Sequence, residues 1–170
     1  MNTVPQKTVF PAATQQIANN TTSWIGHVPG DSKEFIKGQT FIAREEGDLQ
    51  TIEIFSNIVS DPGNVMMTIH SFDPRAKTWS AVLGSAQVAF AKTDTGKWIP
   101  FHIPGLHLVK GQSYGFRLQS SDSFIGVGEA AGSSRQPPLD EGQEWRFTNT
   151  GNQGDAYSYF SLAFKIGLRA

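Results

Sequence analysis

The feature that most constrains this chain is a two-residue period, interrupted at short and regular intervals. From Gly38 onward, large apolar residues recur at alternate positions. They are Ile52 and Ile54 in LQTIEIFSN, Val65, Met67 and Ile69 in VMMTIHSFD, and Ile99, Phe101 and Ile103 in KWIPFHI. The pattern continues with Tyr114, Phe116 and Leu118 in SYGFRLQS, and with Phe160, Leu162, Phe164, Ile166 and Leu168 in DAYSYFSLAFKIGLRA. Successive side chains of a strand point to opposite faces, so this period marks half-buried strands. REEGD, SDPGN, DPRAK and TDTG interrupt it with the Pro, Gly and Asp chemistry of tight turns. Helical spacing is absent after Gly38. About nine short strands with turn signals every eight to twelve residues predict an all-β fold. The expected architecture is an antiparallel two-sheet β-sandwich, jelly-roll-like, with the last strand central in one sheet. Pro100 predicts an edge strand or a bulge for KWIPFHI, and PGLHLVKGQ reads as a connector.

A length of 170 residues suits one domain with a real core. Residues 1–37 are polar and weakly patterned, and they read as a partly irregular N-terminal arm. Residues 38–170 read as a single sandwich domain. Lys and Arg total 14 against 15 for Asp and Glu, giving a net charge of -1. That balance excludes the basic stripe of a nucleic-acid binder and a polybasic membrane-surface protein. The absence of cysteine excludes disulfides, thiolate zinc sites and a cysteine nucleophile. No apolar run approaches the roughly 20 residues of a membrane-spanning helix. The N-terminus lacks a basic-then-apolar signal layout. Either the protein stays inside the cell or the chain is a processed form.

Chemistry-bearing residues are sparse. No G-x-S-x-G elbow is present, so a serine hydrolase is not expected. His27, His70, His102 and His107 form no H-x-H or H-E-x-x-H arrangement. His70 and His102 read as ordinary polar-face residues, with adjacency on one sheet as the alternative. Glu45, Glu46 and Asp48 meet in one turn, and Asp155 precedes the last strand. Such oxygen donors suit calcium rather than zinc. GVGEAAG lacks the spacing of a dinucleotide-binding loop. Glu129 and Glu144 flank a long patternless segment from Gly128 to Trp145. A glycosidase needs two carboxyls about 5–10 Å apart across a cleft, and the alternative is a solvated strand-end acid. The same segment carries Glu129, Arg135, Gln136, Glu141, Gln143 and Glu144, with Trp145 and Arg146 at its exit. An aromatic face with planar polar side chains is what a sugar ring requires. The alternative is a mobile loop anchored by a buried Trp. Trp98, Tyr157 and Tyr159 lie on the polar phase of their strands. They read as a ligand platform, an oligomer interface, or a face covered by the N-terminal arm.

One resemblance adds to this. GQTFIAREEGDLQTIEIFSNIVSDPGNVMMTIHSFDPRAKTW contains a G-x-L-x-x-I-x-I strand and then V-x-x-T-I-x-x-F-D. Leu108, Gly111, Tyr114, Phe116, Arg117 and Leu118 then follow the order L-x-x-G-x-x-Y-x-F-R-L. Over residues 38–128 the chain resembles bacterial jelly-roll and galactose-binding-like domains of the carbohydrate-binding-module type. The resemblance implies a binding or accessory role, an extracellular or cell-surface setting, and a structural calcium near the sandwich edge. It brings no defined ligand residues. The expected function is therefore a non-catalytic module for carbohydrate or glycan. Glu129, Arg135, Trp145 and Arg146 come first as ligand residues, then Trp98, Tyr157 and Tyr159. A structural or assembly domain, self-associating as a homo-oligomer or docking on a partner protein, is the alternative. A hydrolase or lyase centred on Glu129 is the second.

Overall fold

A computed structural model describes residues 12–31, 33–148 and 154–169; residues 1–11 of the expected arm lie outside them. The strands are β1 (Ala12–Gln16), β2 (Thr21–His27), β3 (Glu34–Ile42), β4 (Gly47–Asp61), β5 (Gly63–Asp73), β6 (Thr78–Trp79) and β7 (Gly84–Phe90). They continue as β8 (Lys97–Leu108), β9 (Ser113–Gln119), β10 (Phe124–Ala131), β11 (Glu144–Thr148), β12 (Gly154–Tyr157), β13 (Phe160–Leu162) and β14 (Phe164–Arg169). The only helical element among the described residues is a single 3-10 turn at Lys92–Asp94. None of the helices there is long and apolar enough to cross a membrane.

Every strand pairing is antiparallel. One layer runs β7-β5-β9-β3-β11-β12, with β6 on the end of β5. The other runs β8-β4-β14-β1, and the far half of β4 carries β10, which in turn carries β2 and β13. A short β2–β3 pairing links the layers, so the network folds over on itself as a sandwich. Phe164 of β14 meets Phe41 of β3 and Phe116 of β9 across the gap, with ring centroids 5.8 and 5.6 Å apart. Around them Leu49, Ile52, Ile54, Met67, Ile69, Phe101, Leu118, Ile125 and Ile166 are buried. Leu49 and Ile52 are three residues apart, yet both face inward. A register shift against β8 between Leu49 and Thr51 absorbs the extra residue, as a bulge does.

Several expectations need correction. The last sixteen residues are not one strand. β12 ends at Tyr157, the chain turns at Ser158 and Tyr159, and β13 and β14 are separated at Ala163. β13 pairs with β10, whereas β14 lies between β4 and β1. Phe160 is consequently only half-buried and does not join the core row that starts at Leu162. The expected connector after Pro104 is the end of β8. Pro100 sits opposite Glu53, and among the described residues β8 pairs with β4 alone, so Pro100 lies on an edge strand as expected. In the expected arm, β1 and β2 belong to the sheets, and Ile25 is fully buried.

Candidate functional site

Toward one end of the sandwich the inward positions stop being apolar. The inward phase of β3 reads Phe41, Gln39, Lys37. Register places Gln39 beside Glu144 and then Tyr157, and Lys37 beside Arg146 and then Asp155. From the facing layer, β10 continues its inward phase Ile125, Val127 with Glu129, which is 3% exposed. Gln39 closes the apolar core. Its Oε1 accepts the Leu162 N–H at 2.9 Å, and its Nε2 donates to the Thr40 carbonyl at 3.0 Å. Beyond it lies a layer of charge. Arg146 places Nε 3.4 Å from Glu144 and Nη2 3.7 Å from Glu129.

Two buried acids in contact cannot both ionise cheaply. Burial, and then the hydrogen bond and charge of Glu129, push the Glu144 carboxyl up to about 9, against the pull of Arg146 and Lys37. Near neutral pH Glu144 therefore keeps its proton. Glu129 Oε2 and Glu144 Oε1 receive no N–H or O–H from the rest of the described protein. A proton on one acid supplies the donor they lack. Lys37 is held below the usual lysine range, first by burial and then by the Arg146 charge.

The outer edge of this layer is aromatic. The Arg146 guanidinium lies 4.7 Å from the Tyr157 ring centroid and 5.0 Å from that of Phe160. Tyr159 packs on Phe160 at 4.7 Å and meets Tyr157 edge-on at 5.9 Å. It is also the most open of the three, at 40% exposed. An open cleft of about 1060 Å³ borders β12 and this end of the layer; its lining includes Lys37, Arg146, Asp155 and Tyr157, and also Lys77, Trp145 and Phe147.

The residues singled out from the sequence divide accordingly. Glu129, Arg146, Tyr157 and Tyr159 come together, with Glu144. Trp145 is next to Arg146 in sequence but faces the opposite side of β11. Its ring, 5% exposed, packs against Phe72, Trp79 and Phe147 at 5.6, 5.8 and 6.0 Å. That is the buried anchor rather than an open platform. The Arg117 guanidinium sits over the same group, 4.7 Å from Trp79 and 4.1 Å from Phe147. Arg135 is exposed in the β10–β11 loop. This loop is pinned by the buried Leu139, by the Thr40 N–H donating to the Gln143 carbonyl, and by the Gln143 N–H donating to Thr40 Oγ1, both at 2.9 Å. Trp98 belongs to the outer face of the other layer, edge-on to Phe55 at 5.3 Å and with the Lys165 ammonium 4.1 Å away.

The four acids named for calcium do not gather. Glu46 and Asp48 converge on His107 at 3.3 and 2.9 Å, Glu45 is exposed in the turn, and Asp155 stands opposite Arg146. Among the described residues no three His, Cys, Asp or Glu side chains are placed to hold a metal ion. His70 is buried, bonded to the Ser80 carbonyl at 2.8 Å, and burial lowers its pKa; the exposed His102 lies elsewhere, opposite Thr51. Lys37, Gln39 and Phe160 were not singled out from the sequence. The signal for the first two was present: EFIKGQTFI places Lys37 and Gln39 on the phase of Phe41.

No family model matches this chain, and no curated protein matches it either. The molecule is a β-sandwich with surface aromatic clusters, an architecture consistent with a non-catalytic binding module.

Proposed function

We propose that this protein is a non-catalytic glycan-binding module whose site is the polar, aromatic mouth formed by Arg146, Tyr157, Tyr159 and Phe160. The observation that carries this reading is the fixing of Arg146. Two rings hold the guanidinium at the surface, and two buried acids set its orientation from behind. Aromatic faces take the C–H side of a sugar, and a pre-oriented planar donor takes its hydroxyls. Trp145 contributes by packing, and Trp98 and Arg135 take no part. A glycan ligand also suits an extracellular or cell-surface setting. The test is a broad glycan array followed by titration of the hits. Tyr159→Ala is expected to weaken binding about tenfold, as loss of a stacking ring does, and Trp98→Ala to leave it unchanged. An array without a single hit sinks the reading.

The Glu129–Glu144 pair does not favour the hydrolase alternative. Glycosidase carboxyls stand about 5–10 Å apart across the substrate, whereas these two are buried and in hydrogen-bond contact. One observation favours assembly as a second reading. Among the described residues β12, which carries Tyr157, pairs with β11 alone, and an open strand edge is a template for a second chain. Light scattering after size-exclusion chromatography separates the two, since a monomer at high concentration removes self-association.

A further inference from the structure

We infer that Lys37 and Arg146 form an oxyanion subsite, so that the glycan recognised carries a carboxylate or sulfate; this rests on the glycan reading above. Lys37 is 9% exposed, and no hydrogen bond or ion pair reaches its ammonium among the described residues. Its nearest ring is Phe35, with the nitrogen 5.8 Å from the centroid. Its stem is buried while its ammonium reaches an open cleft beside Arg146, where no carboxylate comes within ion-pair distance among the described residues. The acids behind it do not meet the need. Glu144 is engaged with Glu129, and Glu129 already faces Arg146. With the Glu144 carboxyl pushed up to about 9, the layer offers Lys37 and Arg146 one negative charge fewer at neutral pH than its two acids would if both were ionised. Lys77 and Asp155 line the same cleft, one charge of each sign. Lys37 and Arg146 both line the cleft, and Tyr157 and Phe160, which pack on Arg146, would hold the ring that bears the oxyanion. Arg146 supplies planar donors and Lys37 a point charge, the usual division of work around an oxyanion.

The probes are a tetragalacturonate, its full methyl ester, a sulfated tetrasaccharide, and free glucuronate and sulfate, titrated by calorimetry. At least one anionic oligosaccharide is expected to bind about tenfold tighter than the neutral ester, the worth of one charge-assisted hydrogen bond. Lys37→Met, which keeps length and burial, should erase that margin, whereas Tyr159→Ala should weaken both ligands together. Lys37→Gln serves as the second variant if Lys37→Met does not fold. Carboxylate and sulfate arms show which oxyanion is preferred. Equal affinity for anionic and neutral ligands overturns the subsite and leaves the glycan reading standing. If no oligosaccharide binds, the glycan reading falls, and the free anions decide the subsite. Binding lost in Lys37→Met upholds it, and no binding overturns it.

Discussion

The most exacting prediction concerns the proton on Glu144. Its carboxyl titrates near 9 in the folded protein, against an ordinary value of 4.5. The native state therefore binds more protons than the unfolded chain between those limits. Stability from this group is fully present below the unfolded value and is lost as pH rises toward the folded one. Each pH unit in that window costs about 1.4 kcal/mol, and the whole span is on the order of 5 kcal/mol. Glu129, Arg146 and Lys37 face Glu144, and all of them remain in Glu144→Gln. That substitution keeps a donor toward Glu129 and removes the titration. Denaturant unfolding of both proteins at about pH 5, 7 and 8 isolates the group, because other titrations largely cancel in the difference. Near pH 5 the two should lie within about 1 kcal/mol of each other. By about pH 8 the variant should be more stable by roughly 3–4 kcal/mol. Parallel profiles, or a wild type that gains on the variant with rising pH, would refute the shared-proton account.

Three other perturbations probe separate parts of the fold. A methyl group at Gly115 would occupy the space of the Trp79 ring, so Gly115→Ala should cost about 1–3 kcal/mol in the same unfolding assay. No loss would mean that Trp79 is not seated on β9. Gln39→Leu removes the acceptor of the Leu162 N–H and should cost about 1–3 kcal/mol through the unpaired donor; a neutral result would show that β13 does not depend on it. His107 is raised above the ordinary histidine value, first by its hydrogen bond with Asp48 and then by that with Glu46. An NMR titration should show this midpoint falling in Asp48→Asn, and an unmoved midpoint would refute the pairing.

The core was readable because alternation and burial agree wherever a strand has one wet face. Met67, Ile69, Phe116, Leu118, Phe164 and Ile166 are all buried on the phases that the sequence marks. The C-terminal segment was misread for a physical reason. Phe160 is as apolar as Leu162, and nothing local says that it will cover an arginine instead of the core. That choice depends on β13 pairing with β10, a long-range event. β2 was hidden for another reason. Trp24 stacks on Phe124 outside, at 4.7 Å, while the adjacent Ile25 points inward, so two neighbouring apolar residues blur the period. Trp145 and Arg146 show the reverse case. A period of two places neighbours on opposite faces, so the two rings of contacts around Trp145 and Arg146 are separate. Glu144 and Arg146 share a phase, and they are the pair that meets.

The charged layer also bears on why the mouth exists. Buried ion clusters are a poor route to stability, and apolar replacements of similar volume are often neutral or better. Here the apolar core is already closed at Gln39, which satisfies both of its polar groups. Nothing in packing requires Lys37, Glu129, Glu144 and Arg146 beyond it. What the layer does achieve is positional. The acids hold one edge of the Arg146 guanidinium while Tyr157 and Phe160 hold its faces, so a surface arginine loses its rotamer freedom before any ligand arrives. The proton on Glu144 removes one negative charge from behind the site, and its loss weakens the pull of Lys37 and Arg146 on an oxyanion. Stability and anion affinity should therefore decline together as pH rises toward the Glu144 titration, because both depend on the same proton.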